Sequence, residues 1–147
     1  MPTRPPFPQL FVLALIAAVD LAAARLALRT IKPADVIARN RRVAASVHSP
    51  LPADRVASAS AQAGFIINRV AARMPWRSDC LVQALAGQRW LARAGIASEI
   101  VVGATKDEAG VVAAHAWLRT GGQVVLGGDI SSYQTLLDPR AKPNESA

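Results

Sequence analysis

The chain is short of the residues that usually build small disulfide-bonded or metal-bound domains. Its 147 residues include one cysteine, Cys80, and two histidines, His48 and His115. A single thiol excludes an internal disulfide, and two histidines with one cysteine form no cluster at zinc-ligand spacing. Nothing reads as a phosphate-binding loop, so neither a metal nor a cofactor is expected. A reducing, cytoplasmic setting is the simplest home for such a chain.

Long apolar runs are missing too. The longest, LFVLALIAAV from Leu10, is ten residues and stops at Asp20, whereas a helix needs roughly 20 apolar residues to cross a bilayer. Arg4, this run and the small residues Ala22, Ala23 and Ala24 also resemble the parts of a secretory leader. Asp20 fits that reading badly, and the Ala/Leu/Arg pattern continues to Ile31 as a helix would, so a buried or partner-facing helix is preferred.

Aromatics are scarce, with three Trp, one Tyr and three Phe, but hydrophobic residues make up 52% of the chain and suffice for one core. Charge is uneven. Residues 1–79 hold eleven Lys/Arg against four Asp/Glu, a balance of +7, and residues 80–147 hold six of each. Basicity alone leaves open a nucleic acid, an anionic membrane or an acidic partner, with a solvated helical surface as the plainer reading.

The expected organisation is a single α+β domain: a flexible start at 1–9, a helical region at 10–74, a catalytic core at 75–140 and a flexible tail at 141–147. Pro33 opens a second helix, IKPADVIARNRRVAA. After the break SPLPAD, where Asp54 or Ser49 is the expected cap, residues 55–74 carry a third, with Val56, Phe65, Ile66, Val70 and Met74 at apolar spacing and Gly64 as a weak point. His48 reads as a surface loop residue. Ser78 is the expected cap of CLVQALAGQRWLARAG, which ends at Gly95. IASEIVVGA, VVAAHAWLR and QVVLGGD then predict an antiparallel meander.

Cys80 falls in the first turn of its helix, where free N–H groups and the helix dipole favour the thiolate; Arg77 reinforces this and Asp79 opposes it. A lone cysteine on an apolar helix is more often a small buried hydrophobe, so the chemistry depends on its partners. His115 shares a strand face with Ala113 and Trp117. If Arg119 pairs with Gln123 across a three-residue loop, Asp129 becomes a diagonal neighbour of His115; a two-residue loop pairs Thr120 with Gln123 and moves Asp129 to the other face. Gly127 and Gly128 suggest a bulge that alters this count. In the first register, Cys80 is a nucleophile, His115 its general base and Asp129 the orienting acid. Trp76, Trp90 and Trp117 read as core.

PWRSDCLVQALAGQRWLARAGI, VVGATKD and AAHAWLRTGGQVV resemble the leader peptidases of bacterial lasso-peptide biosynthesis, on the transglutaminase-like, papain-related fold. The resemblance covers residues 75–129 and, in style, the helical entry at 10–74. It implies a cysteine peptidase with its nucleophile at Cys80, base at His115 and acid at Asp129. The implied substrate is a ribosomally made precursor peptide whose leader is cut from the core. Its implied partners are a separate leader-recognition protein, docking on residues 10–74, and a cyclase resembling asparagine synthetases. No nucleic acid is expected, and residues 10–31 are candidates for peripheral membrane contact. Acyl transfer on the same fold is one alternative, and a non-catalytic basic binding protein is another.

Overall fold

Alanine and leucine, the best helix formers, dominate the first thirty residues. In the computed structural model, which describes residues 6–46 and 51–139, they form α1 (Phe7–Thr30). The helix therefore starts inside the segment expected to be flexible. Pro6 caps it and Pro8 sits in its first turn, where a missing N–H costs no helical hydrogen bond. Ala17, Leu21 and Ala24, with Leu13 and Leu28 alongside, turn one face of α1 into the core. Asp20 lies on that face, buried, yet it has partners: Arg93 pairs both carboxylate oxygens, and Arg89 Nε lies 3.4 Å away. The charge that breaks the apolar run is an anchor.

Two more helices follow, α2 (Pro33–Ser46) and α3 (Ala53–Ala71). Ala63, Ile66, Ile67 and Ala71 form the buried face of α3. Phe65, expected among them, is exposed beneath the Arg69 guanidinium, 5.1 Å from its ring centre. Gly64 marks a close approach, not a weak point, because a Cβ there would lie 2.7 Å from the carbonyl oxygen of Val125. Pro52 occupies the cap position and Asp54 the first turn; Ser49 and His48 lie outside the described residues.

The fourth helix, α4 (Cys80–Arg93), carries Val82, Ala84, Ala86, Trp90 and Leu91 into the core. It ends as expected, with Gly95 at φ +74° and the Ile96 N–H bonded to the Leu91 carbonyl at 2.9 Å. Beyond it, β1 (Glu99–Lys106), β2 (Val112–Thr120), β3 (Gln123–Leu126) and β4 (Gln134–Leu137) form an antiparallel sheet in the order β3-β2-β1-β4.

The fold is thus α+β, with a helical first half. Its fourth strand was not foreseen. QTLL is exposed at every residue, so it has no inside-outside alternation and is recruited by backbone pairing to the edge of β1. Ile100, Ala116, Leu118 and Leu126 face the helices and join their core. Trp117 and Val101, paired across β1 and β2, are buried on the opposite face.

Candidate active site

The sulfur and the imidazole reach one edge of β2 from opposite sides. Cys80 is the first residue of α4, following the extended cap residue Asp79, which makes no side-chain capping bond. Ser78, expected as the cap, comes one residue too early: its carbonyl accepts the Gln83 side-chain amide at 2.8 Å, while its buried hydroxyl has no partner among the described residues. First-turn N–H groups of α4 are therefore left without a side-chain acceptor beside the thiol. The loop ahead of Cys80 is held from α1, where Arg25 donates to the Arg77 carbonyl at 2.7 Å and lies 5.8 Å from the centre of the Trp76 ring.

β3 pairs with β2 only as far as Leu118 opposite Leu126. Beyond that point the β2 edge is vacant, and the Ala116 N–H donates to Cys80 Sγ at 3.4 Å. The thiol thus occupies an acceptor position that a longer β3 would have filled.

His115 precedes Ala116 and is half-buried. Its Nε2 lies 2.7 Å from the carbonyl oxygen of Gly127. A carbonyl can only accept, so Nε2 carries the proton and a neutral ring keeps its lone pair on Nδ1. Tyr133, just before β4, covers the ring with centroids 4.9 Å apart and planes inclined by 35°. The imidazole is fixed in tautomer and tilt, with one basic nitrogen left over. No hydrogen bond joins it to the thiol, and such contacts are often loose without substrate.

Asp129 is placed elsewhere. The hairpin turns on two residues, Gly121 at φ +54° and Gly122 at +83°, with Thr120 opposite Gln123. The three-residue loop that would set Asp129 diagonal to His115 does not form. An irregularity between Leu118 and Arg119 resets the register, after which Gly127 and Gly128, at φ +118° and +68°, lead the chain out of the ladder. Asp129 is exposed and accepts the Ser131 N–H at 2.9 Å. Hydrogen bonds from the Ser131 backbone, then its side chain, hold the carboxyl below its ordinary range.

The structure therefore gathers Cys80 and His115 at one strand edge and sets the Gly127 carbonyl, not Asp129, against the imidazole. Tyr133, Arg25 and the role of the Gly127 carbonyl as an acceptor were missed from sequence. Only the Gly-Gly pair carried a signal, as a suspected bulge. Trp117 is buried as expected, but its indole N–H has no partner among the described residues, and neither has that of Trp76. No group of metal-ligating side chains occurs among the described residues.

The sequence model of the transglutaminase-like superfamily matches residues 15–138, spanning α1 to the end of β4. The chain belongs to the transglutaminase-like superfamily. This superfamily includes cysteine peptidases and acyltransferases, whose shared chemistry is acyl transfer through a thiol. The placement of Cys80 and His115 is consistent with that membership. No curated protein and no solved structure matches the chain.

Proposed function

We propose that this protein is a cysteine peptidase that removes the leader from a ribosomally made lasso-peptide precursor. The observation that carries the catalytic part is the junction at Ala116: its N–H holds the Cys80 sulfur, and its neighbour His115 is held by Gly127 through Nε2, which leaves Nδ1 as the free ring nitrogen. The substrate rests on the resemblance of residues 75–129 to lasso leader peptidases.

In this reading His115 Nδ1 takes the thiol proton and the sulfur attacks the scissile carbonyl. The oxyanion is met by the N–H of Cys80 at the helix terminus. The imidazolium then protonates the departing amine as the C–N bond breaks, leaving a thioester on Cys80. A water, deprotonated by the same nitrogen, hydrolyses the thioester and frees the leader carboxylate. Asp129, expected as the orienting acid, has that role only if its contact with Ser131 is exchanged for one with His115. The separate leader-recognition protein and the cyclase belong to the same proposal.

The test is mass spectrometry of a precursor peptide incubated with this protein and its leader-binding partner, beside a Cys80→Ala control. Leader loss with the native protein alone is the expected result. Equal cleavage by the Cys80→Ala protein overturns the mechanism, and a product that gains mass by joining an amine indicates acyl transfer.

A further inference from the structure

Asn40 has an effect beyond tying α2 to the sheet. Its side chain occupies both ladder groups of Ile100, donating to the carbonyl at 2.8 Å and accepting the N–H at 3.1 Å. That amide replaces a strand at the edge of β1, and β4 pairs only from Val102 onward. Between α2 and β4 a cleft of about 250 Å³ remains, walled by Leu28, Val36, Leu81, Ile100, Val102 and Leu137.

The cleft lies at the outer edge of β1, across β1 and β2 from the thiol, and two elements link it to the sulfur. Leu81 follows Cys80 in α4, and Val102 pairs with Ala116, whose N–H bonds the sulfur. Asn40, bonded to Ile100 and Gln88, and Asp138, bonded to Arg119 at 2.9 Å, are committed elsewhere, while the exposed Arg41 also lines the cleft. A wall that is mostly aliphatic suits an apolar occupant. A cavity of about 150 Å³ accommodates a benzene ring, so this cleft admits one branched aliphatic or aromatic side chain.

We infer that this cleft is the specificity pocket of the peptidase and takes one large apolar side chain from the acyl side of the scissile bond. The inference rests on the peptidase reading, so its test separates the two. Peptidyl chloromethyl ketones, in which the Cys80 sulfur displaces chloride, would carry Ala, Leu or Phe at each of the three residues next to the reactive group. Leu or Phe at one position is expected to speed labelling about 10- to 100-fold over Ala. Val36→Trp, which fills the cleft, should abolish that preference while leaving labelling by iodoacetamide unchanged. Leu137→Trp, at the partly exposed rim, serves if Val36→Trp does not fold.

A rate indifferent to side chain, or a preference surviving in the filled variant, overturns the pocket and leaves the peptidase standing. Failure of every peptidyl reagent, with iodoacetamide still reacting, counts against the peptidase. The pocket is then decided by titrating the Cys80→Ala protein with N-acetyl-leucine amide and N-acetyl-alanine amide. Methyl NMR shifts at Val102 and Leu137 with the leucine compound only support it, and their absence overturns it.

Discussion

At the scale of single residues, the site divides groups that hold the imidazole from one that stands apart. His115 is bonded to Gly127 and covered by Tyr133, so His115→Ala should lower thioester formation by about 10²- to 10⁴-fold, the usual worth of a positioned general base. Asp129→Asn should cost less than about tenfold, because the carboxylate bonds Ser131 and an amide oxygen accepts the same N–H. Single-turnover acylation of the two variants checks both. The depressed pKa of Asp129 has a defined sign: its small contribution to stability is complete above the unfolded carboxyl value and fades as pH falls through the lower folded value. Any activity change between roughly pH 5 and 9 therefore belongs to other groups. Asp20 is a different kind of residue, since its burial against Arg93 and Arg89 makes it structural. Asp20→Ala should cost about 1–3 kcal/mol in urea unfolding, below the range for fully buried pairs because both guanidinium groups are about half exposed.

At the scale of elements, the departure of β3 from β2 creates the site, and Gly127 is where it is most exposed to change. Its φ is +118° and a Cβ would lie 2.4 Å from the Trp117 Cβ. Gly127→Ala should therefore displace the carbonyl that orients His115, lowering kcat more than the thiol's reaction with iodoacetamide. Equal losses in both would show general unfolding instead. This departure also marks the limit of what could be read beforehand. The helices, the Gly95 stop and the first three strands were legible because their apolar period and end signals are local. The partner of His115 was not, since it depends on whether the Thr120 turn has two or three residues and on where the ladder slips, and both choices fit TGGQVVLGG. Backbone acceptors such as the Gly127 carbonyl have no residue-type signature, and the same limit hid the Asn40 contact with β1. Phe65 was misread because the small residue Ala63 and the pair Ile66 and Ile67 supply the core face of α3 in its place.

At the scale of the whole molecule, α1 poses a question of composition against packing. With 24 residues it is about 36 Å long, its apolar window has the length and hydropathy of a membrane span, and only 22% of that window is buried. Inside the fold it is fixed by Asp20 and by the Ala17, Leu21 and Ala24 face, so withdrawing it would leave α3 and α4 without their neighbour. The outer face is another matter: Phe7, Phe11, Leu15 and Val19 lie four residues apart in one exposed stripe. Such a stripe contributes little to folding and strongly affects solution behaviour. Replacing Phe11 and Leu15 together by Gln should move the unfolding free energy by no more than about 0.5 kcal/mol per site, while reducing detergent binding and self-association in sedimentation. A large loss of stability would instead mean that α1 holds the fold together through its outer face, and the division between an anchored inner side and a free outer side would fail.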